Sequence, residues 1–348
     1  MAYHTTPYLL LFLPAALLFY QITPARWRSY TLLIFSYLFF WSFSEKLIIY
    51  LIGTTFLTHH ICIWMDTMDK RDKRKKRVLQ LGIFLLLGTI LCLKYRNFFF
   101  GNVSKLAMLL HIDWSYRDQL IFLPIGISFY TLSAIGYMTD VYWGKVKAEY
   151  SLVKTALFLG FFPIIVEGPI CRWEDVEDTL FKNESVKAEN VFKGCYRIIW
   201  GLFKKMIIAD RLAVLVDKVY VGYESYSGAV IVAAAISYTI QLYMEFSGCM
   251  DMVIGSAGLF GIRLPENFSQ PFFAKTCTDF WKRWHITLGV WFKNYIFYPV
   301  SISKTARKWN KFTRKHFKGD FGKYVARMGI AAMALFPVWI SNGLWHGP

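Results

Sequence analysis

The chain has 348 residues, of which 55% are hydrophobic, 19% aromatic and 18% charged, an apolar share above that of an average soluble domain. The surplus comes in long runs that approach the ~20 residues needed to cross a ~30 Å hydrocarbon core, which excludes a soluble globular protein and predicts an integral membrane protein. A net charge of +17 invites a nucleic-acid reading. The cations, however, crowd into residues 70–77 and 304–318, seven in each. Short Lys/Arg-rich loops between spans mark the cytoplasmic side and meet anionic lipid, so the partner they imply is the bilayer and not nucleic acid.

In chain order, Pro7–Ile22 reads as a retained first span, because no basic n-region of a cleaved leader precedes it. Arg26 and Arg28 follow it and favour an outside N-terminus. Spans over 30–43 and 47–65 return the chain to the cytoplasmic cluster at 70–77. A span over 78–93 leads to a polar, aromatic external segment at 94–119, and 120–138 comes back to an internal loop at 139–150. Residues 152–170 form an apolar run broken by Phe162-Pro163 and Glu167-Gly168-Pro169. Such a break is tolerated at membrane depth only where protein or a water-filled cavity covers the backbone.

Residues 171–190 are hydrophilic and acidic, and a loop is expected there. The mixture of apolar residues with Lys204, Lys205, Asp210 and Arg211 over 191–219 predicts helices near the interface. A span over 228–245, a Gly-rich apolar stretch over 246–262 and an amphipathic, aromatic segment over 266–287 follow. Residues 288–302 are apolar, the second basic loop comes next, and 324–340 form the last visible span. In all, about nine to eleven membrane-embedded elements are expected, several too irregular for a simple crossing.

Histidine is costly to leave unpaired at membrane depth and suits acid–base work near neutral pH. Two occur in Trp-His pairs, Trp284-His285 and Trp345-His346. Carboxylates in apolar surroundings need partners, and Arg263, Lys282 and Arg283 are the cations expected for Asp251 and Glu245. Glu167 is a candidate for facing a cavity. The six cysteines show no CxxC spacing, so neither a zinc cluster nor a disulfide framework is expected. His59-His60 lacks further ligands for a metal.

The stretch Tyr243-Met244-Glu245-Phe246-Ser247-Gly248, Asp251-Met252-Val253-Ile254-Gly255, Pro265-Glu266-Asn267-Phe268 and Phe280-Trp281-Lys282-Arg283-Trp284-His285 resembles the membrane-bound O-acyltransferase (MBOAT) family. Within it, the bacterial alginate O-acetylase-like branch is the match. Leu123-Pro124-Ile125-Gly126, Glu167-Gly168-Pro169 and Gly201-Leu202-Phe203-Lys204-Lys205 resemble that branch too. Two departures stand out: Trp291-Phe292-Lys293-Asn294 lacks the branch's acid after the basic residue, and Phe246-Ser247-Gly248-Cys249 lacks its tyrosine.

The resemblance implies an all-α polytopic helix bundle, with re-entrant and interfacial helices around a central funnel or tunnel. It implies one transmembrane domain over 1–348, read as a piece lacking the family's C-terminal spans. His346 is the expected catalytic residue and His285 the second signature residue. Asp251, Glu245, Glu167, Arg283, Trp284, Trp345 and Asn267 are candidates for the tunnel lining. No bound cofactor or metal is implied. An acyl thioester such as acetyl-CoA would supply an acetyl group from the cytoplasm, for an extracytoplasmic partner protein and polysaccharide or peptidoglycan. D-alanyl transfer to teichoic acid is the alternative within the family; a transporter or a non-catalytic membrane subunit are those outside it.

Overall fold

The computed structural model describes residues 2–69, 72–114, 116–117 and 123–347. The cations Lys70 and Arg71, and the start of the span expected at 120–138, lie outside them. The described residues fold as helices and connecting turns, with no strand among them. The helices are α1 (Leu13–Ile22), α2 (Arg28–Ser44), α3 (Ile48–Asp66), α4 (Lys73–Lys94), α5 (Arg96–Leu109), α6 (Ile127–Trp143), α7 (Leu152–Gly160) and α8 (Trp173–Leu180). The chain continues with α9 (Ala188–Leu202), α10 (Asp210–Val221), α11 (Gly228–Leu259), α12 (Cys277–Trp281), α13 (Ile286–Phe292), α14 (Tyr298–Ser301), α15 (Lys304–His316) and α16 (Gly319–His346).

Among the described residues, four stretches are long and apolar enough to cross a membrane: Ala25–Asp66, Lys73–Lys94, Gly228–Leu259 and Gly319–His346. At 1.5 Å per residue the 28 residues of α16 reach about 42 Å, more than a bilayer's hydrocarbon core. Their outer faces carry exposed large apolar side chains, among them Val232, Ile236 and Tyr238 on α11 and Phe336 and Trp339 on α16. Hydrocarbon solvates such a surface and water does not.

Several sequence boundaries shift. The basic stretches expected as loops are largely helical: residues 73–77 form the first turn of α4, opened by Asp72 accepting from Arg74 N at 2.8 Å, and 304–316 form α15. Lysine and arginine are good helix formers, and a hydropathy reading is blind to that. The expected loop at 171–190 contains α8, and the external segment at 94–119 contains α5. The regions 228–245 and 246–262 are one helix, α11, whose second half sinks into the core from Ser247 onward.

Two glycine pairs explain that burial. A Cβ on Gly201 would lie 2.5 Å from the Gly248 carbonyl oxygen, and one on Gly194 would lie 2.8 Å from the Gly255 carbonyl oxygen. The pairs run in opposite senses along α9 and α11, so these helices are antiparallel with their backbones in contact. A helix expected at the interface is thereby locked to the buried half of α11.

The broken run behaves as its prolines require. After α7 ends at Gly160, residues 161–172 leave the helix and are mostly buried. Side chains from elsewhere satisfy the released backbone groups. Phe162 N donates to Ser36 Oγ at 3.0 Å, Tyr3 Oη donates to the Phe162 carbonyl at 3.0 Å, and Ile170 N donates to Thr287 Oγ1 at 3.1 Å. Irregular backbone at this depth is stable because protein covers and pairs it.

Candidate active site

The site begins where α11 stops. Gly261 has φ +77°, and the chain closes a Schellman turn there: Ile262 N donates to the Ala257 carbonyl and Gly261 N to that of Gly258. The following segment runs beside residues 283–286, joined by Ser269 N to the Arg283 carbonyl at 3.0 Å and Ile286 N to the Asn267 carbonyl at 2.9 Å. His285, at the N-terminus of α13, takes φ +46° and ψ +52°. A non-glycine residue in that region carries about 1–2 kcal/mol of strain, so its surroundings must hold it there.

Asn267 does so. Its side chain is fully buried, and its Oδ1 accepts from Thr287 N at 3.1 Å and Thr287 Oγ1 at 3.0 Å and lies 3.2 Å from His285 Nδ1. Its Nδ2 donates to Met250 Sδ at 3.3 Å. His285 is 5% exposed. Phe246 meets its ring edge-on at 4.9 Å between centroids, and among the described residues no group hydrogen-bonds its Nε2.

Helix α16 brings the second pair to the same place. Trp345 packs edge-on against Phe129 at 5.2 Å and against His285 at 5.7 Å. The His346 ring centroid lies 6.4 Å from that of His285. Lys94 Nζ donates to the Trp345 carbonyl at 2.7 Å and Tyr95 Oη donates to that of Leu344, so the end of α4 fixes the last turn of α16. His346 itself is exposed.

The charged candidates take different partners from those expected. Asp251 pairs with Arg197 (3.1 Å) and Lys204 (2.6 Å), and Glu245 pairs with Lys205 (2.6 Å). None of Arg263, Lys282 and Arg283 is a partner. The cause is the α9–α11 contact, which lays Arg197 and Lys204 along the buried face of α11. Arg283 is occupied by Asp279 at 2.9 Å and holds that carboxyl below the usual carboxylate range. Glu167 is exposed, and its Oε2 accepts from Cys249 Sγ at 3.1 Å. Trp284 stacks on Phe280 and meets Phe268 edge-on.

A cavity of about 420 Å³ opens beside this layer, its wall including Lys204, Tyr243, Met250, Asp251, Glu266 and Phe268. Met250 and Phe268 touch both cavity and site: Met250 accepts from Asn267, and Phe268 packs on Phe246 and Trp284. Among the described residues no group of three or more His, Cys, Asp or Glu gathers as metal ligands. His59 Nδ1 lies 3.2 Å from Thr155 Oγ1, and His60 Nδ1 lies 2.8 Å from the Phe56 carbonyl.

Residues not singled out from sequence complete the picture. Thr287 links Asn267 to the broken run, and its place two residues after His285 was the available signal. Asp140, buried on α6, accepts from Tyr295 Oη at 2.5 Å and lies 3.5 Å from Lys145 Nζ. An acid within a largely apolar segment marked it.

Comparison with known proteins gives this geometry a family. A profile described as MBOAT, membrane-bound O-acyltransferase family, matches residues 145–314. The whole chain is 32% identical to the probable alginate O-acetylase AlgI of Pseudomonas putida, covering 67% of that protein. It is 28% identical to the peptidoglycan O-acetyltransferase of Helicobacter pylori, over 99% of the chain and 66% of that relative. Identity is also 28% to the teichoic acid D-alanyltransferase of Bacillus subtilis, over 64% of the chain and 53% of that relative. The chain spans about two thirds of the length of the first two relatives and about half that of the third. Its long apolar helices and the similarity of its whole length to the alginate O-acetylase make it a bacterial multi-pass membrane protein that belongs to the membrane-bound O-acyltransferase family, in the alginate O-acetylase-like branch.

Proposed function

We propose that this protein is an O-acyltransferase that takes an acetyl group from a cytoplasmic thioester, acetyl-CoA or a carrier-bound equivalent, and passes it to a hydroxyl acceptor on the far side of the membrane. The acceptor would serve O-acetylation of an extracytoplasmic polysaccharide or peptidoglycan, through a partner protein. The observation that carries the reading is the 6.4 Å approach of the His285 and His346 rings, brought together from two distant Trp-His pairs. The relatives named for alginate and peptidoglycan O-acetylation support acetyl as the group.

The chemistry asks for alignment and proton handling. A thioester is already activated, so a neutral imidazole that accepts the hydroxyl proton supplies about 100- to 10,000-fold, and holding both reactants adds more. His346 takes the proton as the hydroxyl oxygen attacks the carbonyl carbon. The tetrahedral adduct collapses with loss of the C–S bond, and the departing sulfur takes the proton back from His346. The products are an acetyl ester and a free thiol.

The test uses the full chain in membranes with radiolabelled acetyl-CoA and de-acetylated polysaccharide, together with the variant His346→Ala. Label should reach the polysaccharide with the unaltered protein and fall by at least about 100-fold in the variant. Equal transfer by both would overturn the assignment of His346. Label from D-alanine on a carrier protein, with none from acetyl-CoA, would replace acetyl by D-alanyl.

A further inference from the structure

Asn267 is surrounded by groups whose hydrogen-bonding sense is fixed. Thr287 N is a donor only, and it lies 3.1 Å from Oδ1. On the other side the amide Nδ2 meets Met250 Sδ, an acceptor only, at 3.3 Å. Reversing the amide would set donor against donor on the first side and leave the sulfur with an oxygen. The orientation is therefore decided by chemistry. Thr287 Oγ1 already accepts from Ile170 N, so its proton is free to go to Oδ1 as well.

One consequence reaches His285. The ring nitrogen facing Oδ1 is Nδ1, at 3.2 Å, and an oxygen that only accepts requires a proton on that nitrogen. A neutral imidazole has a single ring proton. Nε2, on the opposite edge of the ring, is then left as a bare lone pair, and it is the atom that no described group reaches. The second nitrogen's hydrogen bond selects the tautomer of the first.

We infer that Asn267 is a positioning residue that fixes His285 as the Nδ1–H tautomer, so that Nε2 meets the reactants as a hydrogen-bond acceptor. This rests on the acyl-transfer reading above and adds a direction to it: His285 in its neutral form does not donate to a developing oxyanion. The hydroxyl proton goes to His346 and His285 stays neutral: its Nε2 accepts a hydrogen bond from the reactants while Nδ1–H remains on Asn267 Oδ1. No rearrangement is needed, because the amide is held by Thr287 and Met250 and the backbone carbonyl of the same asparagine binds Ile286 N.

Two readouts test this on the full chain. Nitrogen-15 NMR of histidine-labelled protein in lipid, with His285→Asn used for assignment, should show a protonated Nδ1 and an unprotonated Nε2 at His285. A protonated Nε2 would overturn the inference whether or not acyl transfer is observed. The second readout is turnover. Asn267→Ala should lower kcat by at least about 10-fold with little change in KM, and incorporating Nδ1-methylhistidine at position 285 in that background should restore it, because the methyl group forces the lone pair onto Nε2 and occupies the space of the lost amide. Nε2-methylhistidine should not restore it. Unchanged kcat in Asn267→Ala, or equal failure of both methylhistidines, would assign Asn267 a structural role only. Absence of acetyl transfer by the unaltered protein would instead count against the acyltransferase reading, with the NMR result still deciding the tautomer.

Discussion

Gly201 and Gly248 face each other with no room for a side chain: a Cβ on the first would lie 2.5 Å from the carbonyl oxygen of the second. This contact, repeated at Gly194 and Gly255, draws α9 onto the buried half of α11 and thereby sets the charges that flank the cavity. The backbone cannot yield as a flexible side chain would.

Gly201→Leu should therefore destabilise the protein by at least about 3 kcal/mol, the upper part of the usual overpacking range. Gly258→Ala, on the same α11 but with nothing within 4 Å of a new Cβ, should leave stability unchanged or slightly raised, since alanine is the better helix former. Thermal unfolding in detergent compares the two, and equal midpoints would contradict the close contact.

The ion pair of Asp251 with Lys204 is mostly covered, with the side chains 12% and 14% exposed. Breaking it from the acid side strands Lys204 and leaves Arg197 with Glu266 alone, so Asp251→Leu should cost about 3 kcal/mol, the low end for a buried pair. Replacing both members, as Asp251→Leu with Lys204→Met, should recover most of that loss. Additive losses in the double variant would mean that the two groups do not act as a pair.

Thr287 joins the site to the broken apolar run through its hydroxyl. Thr287→Val keeps the shape and removes that hydroxyl, leaving the buried Ile170 N–H unpaired at a cost of about 1–3 kcal/mol. Thr287→Ser should retain most of the stability. If Val and Ser variants melt together, the hydroxyl bridge contributes nothing.

The elements legible in the sequence were those with a local cause. Pro163 and Pro169 announced the break after α7, and the two Trp-His pairs announced the histidines that the structure brings to one place. The helical state of the basic stretches was missed because charge was read as a topology signal, although lysine and arginine also favour helix. The partners of Asp251 were missed for a different reason. Arg197 and Lys204 are remote in sequence, and only the glycine contact between α9 and α11 puts them beside the acid; nearby Arg263 and Arg283 were the natural candidates without it. Thr287 stands two residues after His285, which marks its neighbourhood, but its bridge depends on the backbone of residue 170, which no periodicity reveals.

The 6.4 Å approach of the two rings predicts that His285 and His346 work as one unit in the proposed acyl transfer. Single-turnover acetyl transfer by the full chain, measured for His285→Ala, His346→Ala and the double variant, tests it most directly. Residues that act together give losses that do not add, so the double variant should be no slower than the slower single variant, within about threefold. Losses that multiply across the two positions, or a double variant as fast as the unaltered protein, would contradict the claim.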